Sequence, residues 1–321
     1  MKKVKRILAL VLSLMMILSA LAGCGSSGGS RSAAGSGGAS SGKTESGWPE
    51  RNITVIVPFD AGGATDLIAR AMQSKMQESL GTTTTVQNMS GGSTAIGNQY
   101  VLDSEPDGYT VCMQATEICN IWTMNYSDIT YRDFKYVGIA ASVPGVFVVK
   151  SDSPYNTIED VIQAMKSGKK LTVGTCGGGD AWTLTFGLFA NSIEGATQPE
   201  YISEGSGKNA AVAAMKGEVD IGSCGIPEAF ELLKGGQLRA LACCTPEDAD
   251  IEGYGAIPSI VNTCPDLAKF MPYGGFVGMC VSKEVPDEIV NKLIEAFDYA
   301  FKSEEVQSYL TTSYFLPLGH L

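Results

Sequence analysis

Histidine occurs once in 321 residues, at position 320. That scarcity removes the base on which Ser–His and Cys–His nucleophiles depend, and no G-x-S-x-G sits at a strand-to-helix turn, as a nucleophile elbow requires. The nine cysteines include no C-x-x-C pair, so a zinc site has no ligand set to draw on. Beyond residue 24, no stretch is apolar for the roughly 20 residues that a membrane-spanning helix needs. Basic residues are few: 23 Lys and Arg stand against 34 Asp and Glu, a formal net charge of −11. Such a surface argues against nucleic acid or anionic lipid as a partner. Any anion must then be held by local backbone dipoles. Gly37-Gly-Ala-Ser-Ser-Gly-Lys43-Thr44 fits the phosphate-loop pattern GxxxxGK[ST]. It lies in linker sequence, with no strand before it and no helix after it, and is a chance match. No cofactor is expected.

What is present begins with a leader. Lys2, Lys3, Lys5 and Arg6 precede an apolar run from Ile7 to Leu18, and Leu21-Ala-Gly-Cys24 follows. This is the pattern of a secretory signal over residues 1–23. Its end resembles a bacterial lipobox, which implies cleavage before Cys24 and lipidation of that thiol. Losing the four basic residues would leave 19 cations against 34 acids, a net −15. Residues 24–47 are almost all Gly, Ser and Ala and read as a flexible tether. From Trp48 onward about 270 residues remain, enough for two lobes with proper cores. Cys112, Cys243 and Cys280 fall in strand-like runs and read as buried thiols.

The folded part is organised around Pro58-Phe59-Asp60-Ala61-Gly62-Gly63-Ala64-Thr65-Asp66. Ile53 to Val57 before it has the β-branched composition of a buried strand. Leu67, Ile68, Ala71, Met72, Met76 and Leu80 after it recur at helical spacing, so Ala64 to Leu80 reads as an amphipathic helix. A glycine turn between a strand and a helix N-terminus gathers free backbone N–H groups, and the helix dipole adds about 0.3–1 kcal/mol for an anion there. The pattern recurs three times. Thr83 to Gln87 leads into Ser90-Gly91-Gly92-Ser93-Thr94-Ala95, and Leu171 to Gly174 into Thr175-Cys176-Gly177-Gly178-Gly179-Asp180. Glu200 to Ser203 leads into Glu204-Gly205-Ser206-Gly207. Four such units suggest loops converging on one ligand. Thr116, after the strand Thr110 to Gln114, joins them at a carboxyl strand end, where open α/β sheets place ligands.

Strands are expected over Tyr136 to Ala140, Gly145 to Lys150, Gly217 to Gly222 and Phe276 to Ser282, with helices after Thr157, Pro227 and Pro286. Strands alternating with helices give an α/β chain of parallel sheets. Residues 246–272 read as long and irregular. Two crossings, near Val146 and Gly275, would divide the chain into a lobe of residues 48–147 with 275–321 and a lobe of 148–274.

The first motif with Ala69-Arg70, then Asp107-Gly-Tyr-Thr110, Tyr201 through Gly207, Gly217-Glu-Val-Asp220 and Gly236-Gln-Leu-Arg-Ala-Leu241, come in the order of one family. The chain resembles the tripartite tricarboxylate transporter substrate-binding receptors, the TctC or Bug family. The resemblance implies a two-lobe type II periplasmic-binding-protein fold with the ligand cleft between the lobes. It also implies capture of a small carboxylate by a monomer and delivery to a two-component membrane permease. It places ligand contacts at Phe59, Ala61, Gly62, Gly63, Asp66, Ser90, Gly91, Gly92, Ser93 and Ala95, and at Thr175 to Gly179 and Gly205 to Gly207 in the second lobe. A stop at Leu321 is early for that family.

Asp60, Glu117, Asp180 and Glu204 depart from the family pattern. Four acids around a carboxylate site would repel polyanions such as citrate, so the expected ligand carries one carboxylate and a cationic group, as an amino acid does. Two rivals remain at this point. A receptor feeding a membrane sensor kinase would share the fold, and a secreted hydrolase would need machinery that is missing.

Overall fold

In the computed structural model, residues 47–319 are described. The leader, Cys24, the tether as far as residue 46, the phosphate-loop match and His320 lie outside the described residues. The order is β1 (Ile53–Val57), α1 (Ala64–Leu80), β2 (Thr84–Asn88), α2 (Ala95–Asp103), β3 (Thr110–Ala115) and β4 (Phe134–Lys150). Then come α3 (Ile158–Lys166), β5 (Thr172–Thr175), α4 (Ala181–Asn191), β6 (Glu200–Ser203), α5 (Gly207–Lys216), β7 (Ile221–Gly225) and α6 (Ile226–Lys234). The chain ends with β8 (Leu238–Cys243), β9 (Ala249–Ile251), β10 (Gly255–Ile257), β11 (Gly274–Ser282), α7 (Asp287–Lys302), α8 (Glu304–Thr312) and β12 (Leu316–Gly319).

Ten of the strands form one curled sheet, and β4 joins its two halves. The first half of β4 pairs antiparallel with β11 and β12, and its second half with β7 and β8. On one side β1 lies parallel to both β2 and β3. On the other β5 lies parallel to β6 and β7. Each half is a lobe with helices on both faces. The sequence suggested two strands over 136–150, but β4 is a single strand of 17 residues. Pro144 does not interrupt it because the strand changes partners there, and a proline at such a change costs no ladder bond. At the same point β11 crosses so closely that a Cβ on Gly274 would lie 2.0 Å from the carbonyl oxygen of Val143.

Alternation within strands sets the layers. Ile53, Val55 and Val57 of β1 join α1, α7 and α8 in the first-lobe core, while Ile56 faces the opposite layer with Val101 and Cys280. In the second lobe Phe147 and Val149 of β4 pack against α3 and α4, while Val146 and Val148 pack against α5 and α6. The strand expected at Gly217 starts later, at Ile221. Gly217 ends α5 in the left-handed region, and Gly217 and Glu218 amides bond back to Ala214 and Ala213, so these residues are a turn. The stretch 246–272 holds the hairpin β9–β10 and two short 3₁₀ turns. The eight cysteines among the described residues are free thiols, and Cys112, Cys243 and Cys280 are buried.

The second-lobe core turns on Phe147, whose ring stands 4.9 Å from Phe186 and 5.5 Å from Phe189. Phe147→Ala is expected to lower unfolding free energy by about 3–5 kcal/mol, measured by urea denaturation. A loss below about 1 kcal/mol would contradict this packing.

Candidate functional site

Between the two lobes lies a hollow of about 210 Å³. Pro58, Phe59, Ser90, Gly91, Gly92, Ser93, Thr94 and Tyr126 line it from the first lobe, and Cys176, Gly177, Gly178, Asp180, Ser203 and Gly205 from the second. All four glycine loops therefore reach one concavity. Deeper, toward the crossing of β4 and β11, lies a smaller chamber of about 30 Å³, shared by Glu117, Trp182, Ser206, Gly207 and Glu228. Phe59 and Cys176 border both spaces.

The β1–α1 turn is built on Asp66, which is almost fully buried. Its carboxylate accepts the Gly62 amide at 2.8 Å, Arg70 Nε at 3.0 Å and Asn88 Nδ2 at 3.0 Å. Asn88 also donates to the Phe59 carbonyl at 3.0 Å and so ties the first two loops together. Burial alone would raise the Asp66 carboxyl, but those donors and the Arg70 charge hold it below the usual carboxylate range. The amides of this turn are thereby engaged: Gly62 with Asp66, Gly63 with the Asp60 carbonyl, and Ala64 with Glu228.

The unengaged donors sit in the neighbouring loops. Gly91, Gly92, Ser93 and Thr94 all have positive φ, an uncommon backbone for serine and threonine that marks a constrained loop. Among the described residues, the amides of Gly92, Ser93 and Thr94 donate to no protein acceptor, nor does that of Gly178 across the hollow or that of Gly179 next to it in sequence. Successive free amides of this kind form an anion-binding concavity.

Other expected residues are placed differently. Asp60 bridges loops, accepting from Ser90 Oγ at 2.5 Å and from Asn209 Nδ2, on the other lobe, at 3.4 Å. Asp180 caps α4: its carboxylate accepts the amides of Gly177, Trp182 and Thr183 and the Thr183 hydroxyl. Thr116 Oγ1 accepts the Phe276 amide at 2.9 Å, which pins β11. Thr175 Oγ1 accepts from the Thr183 hydroxyl at 2.8 Å. The Gly179 carbonyl accepts from Asn120 Nδ2 at 3.4 Å, and the Ala95 amide turns back to the Gly92 carbonyl at 3.1 Å. Glu204 is half-buried, and burial and nearby Glu218 push its carboxyl up. Asp60, Ala61, Gly62, Asp66, Ala95, Thr116, Thr175, Gly179 and Glu204 line neither space.

Two residues that sequence reasoning passed over are prominent. Tyr126 follows a 3₁₀ segment without periodicity, and its hydroxyl would lie 2.1 Å from a Cβ on Gly178. Glu228 stands three residues after Gly225 in Gly225-Ile-Pro-Glu228, an N-terminal helix pattern visible in the sequence. It accepts the Gly225 amide at 2.8 Å and, from the other lobe, the Ala64 amide at 2.9 Å. Glu117 does the reverse, accepting the Ala181 amide of the second lobe at 3.0 Å. Each lobe thus caps a helix of the other.

These acids are strained electrostatically. Burial and the charge of Asp180 push Glu117 up to about 7. Burial pushes Glu228 up to about 7 against its amide donors, and Asp180 up to about 6. A carboxyl raised on folding holds its proton better in the folded state, so stability is lost as pH climbs from the unfolded value near 4.3 through the folded one. Unfolding free energy is expected to fall between about pH 5 and pH 8, and Glu228→Gln should flatten that slope. Urea titrations at fixed salt measure it, and a rising slope would contradict the assignment.

A family model described as "Tripartite tricarboxylate transporter family receptor" matches residues 68–318. Protein BugT of Bordetella pertussis is 30% identical over 221 residues, 67% of this chain and 66% of BugT. Rpa4515 of R. palustris, a structure with adipate, superposes with a TM-score of 0.73 at 25% identity, covering 85% of this chain and 90% of that one. MatC from Rhodopseudomonas palustris, with bound malate, has a TM-score of 0.75 at 23% identity over 84% and 90%, a likeness of fold. No helix among the described residues is long and apolar enough to cross a membrane. The family match extends over well more than half of the chain, and the protein therefore belongs to the tripartite tricarboxylate transporter receptors, solute-binding and not catalytic, with a two-lobe periplasmic-binding-protein-like α/β fold.

Proposed function

We propose that this receptor captures a small carboxylate or amino-acid ligand between residues 48–147 with 275–321 on one side and 148–274 on the other. It then delivers that ligand to a two-component permease of the tripartite tricarboxylate type. The observation that supports the reading is the set of unengaged amides, Gly92 to Thr94 from one lobe and Gly178 from the other, around one hollow. Charge-assisted bonds contribute about 1.5–3 kcal/mol each. Set against association costs of several kcal/mol, a few of them reach micromolar affinity, near −8 kcal/mol. Adipate with Rpa4515 agrees in ligand class.

The leader pattern and the lipobox-like Leu21-Ala-Gly-Cys24 support a receptor that works outside the cytoplasm, lipid-anchored through Cys24, and we propose that it acts as a monomer. Cys24→Ala is expected to move the protein from the membrane fraction to the soluble extracytoplasmic fraction; continued membrane association would refute the anchor. A receptor that signals to a sensor kinase shares all of this geometry, and two adjacent permease genes distinguish transport from it.

Closure offers the direct functional test. Gly205 has φ +79°, and a Cβ there would fall 2.3 Å from Asp60 Oδ2 on the opposite lobe. Gly205→Ala should therefore wedge the lobes and weaken ligand binding at least about tenfold, or about 1.4 kcal/mol, with unchanged far-UV circular dichroism. A calorimetric screen of amino acids and di- and tricarboxylates finds the ligand, and equal affinity in the variant would contradict closure on that hollow.

A further inference from the structure

Among the described residues, the deep chamber is lined by two carboxylates and by no cation. Glu117 is 3% exposed and Glu228 6%, and neither lysine nor arginine lines the space with them. Both oxygens of Glu228 accept backbone amides, Oε1 from Ala64 and Oε2 from Gly225. Glu117 differs. Its Oε1 accepts the Ala181 amide, while its buried Oε2 has no hydrogen-bond partner among the described residues. A buried carboxylate oxygen without a donor is costly, so the chamber lacks a donor and a positive charge together.

Three features say what fits. The helix α1 N-terminus, the natural place for a ligand anion, is already taken by the chain's own Glu228 carboxylate, so a second carboxylate is repelled from the chamber. Its 30 Å³ admits a compact group and is a small fraction of the 210 Å³ of the outer hollow. One free oxygen also falls far short of the six to eight that a hard metal ion such as calcium collects. An ammonium group is compact, cationic and carries three donors.

Resting on the carboxylate-receptor reading above, we propose that the Glu117–Glu228 chamber is an ammonium subsite. The ligand is then zwitterionic, its carboxylate on the amides of the hollow and its primary ammonium past Phe59 and Cys176 against Glu117 Oε2. Because Glu117 belongs to the first lobe and Glu228 to the second, the ammonium neutralises the charge that opposes their approach. Closure is thereby coupled to the presence of a cationic nitrogen. The groups facing Glu117 are Glu228 on α6, Asp180 at the start of α4, the thiol of Cys176 between β5 and α4, and Cys119 on its own turn.

The test is calorimetry on protein stripped of ligand by unfolding and refolding, with matched pairs: aspartate against succinate, glutamate against glutarate, and 4-aminobutanoate against butanoate. The expected result is at least tenfold tighter binding of the amino member of the preferred pair. Its affinity should also rise from pH 5.5 to pH 8, since Glu117 must ionise to hold an ammonium. Glu117→Gln should erase the preference and the pH dependence. If that variant does not fold, the wild-type pH profile decides alone, because a carboxylate entering the chamber would bind more weakly as pH rises. Equal or tighter binding of succinate or glutarate, a falling pH profile, or an unchanged preference in Glu117→Gln overturns the subsite and leaves the carboxylate receptor standing. Binding of neither class overturns both.

Discussion

Two helix N-termini face each other across the cleft, and each is capped by a glutamate from the opposite lobe. Glu228 of the second lobe accepts from Ala64 at the start of α1, and Glu117 of the first accepts from Ala181 at the start of α4. Unpaired amides at buried helix starts are costly, so this exchange stabilises one mutual position of the lobes. The same helix starts also bound the space in which a ligand would sit. The closed arrangement, the position of the glycine loops and the charge of the deep chamber all follow from it.

The arrangement stores opposing electrostatic terms. Amide donors and helix dipoles favour ionised carboxylates, while burial and mutual repulsion disfavour them. Asp180 adds a third charge close by, itself held by four donors. A two-lobe protein balanced in this way can be tipped between open and closed by the differential contacts of a ligand. Asp66, Asn88 and Arg70 also fix the first two loops to each other.

Much of this was legible from residues. The β-branched run at Ile53 to Val57, the helical spacing from Leu67 to Leu80 and the recurrence of strand–glycine–helix units gave the α/β alternation and the convergence of loops. Elements at sites of partner exchange were harder to read. Pro144 and Gly145 resemble a break in β4, yet the strand continues because its neighbours change there. The amide inventory was not readable either. Gly62 and Gly63 suggested an anion site, but Asp66, the Asp60 carbonyl and Glu228 engage that turn, and the free donors lie at Gly92 to Thr94 and Gly178 to Gly179. Which amides remain free depends on contacts more than 100 residues apart in sequence, such as Ala64 with Glu228, and no local pattern encodes them.

The acids show the same limit. Sequence placed Asp60, Glu117, Asp180 and Glu204 together as one negative surround. In the fold Asp60 ties loops together, Asp180 caps its own helix and Glu204 is half-buried away from both spaces, which leaves Glu117, beside the unforeseen Glu228, as the acid with an oxygen to offer. The most direct test of the central claim is a crystal structure of the protein with its tightest-binding ligand. The account predicts closed lobes and carboxylate oxygens about 2.7–3.2 Å from amides of Gly92 to Thr94 and of Gly178. A ligand bound elsewhere, with those loops parted, would contradict it.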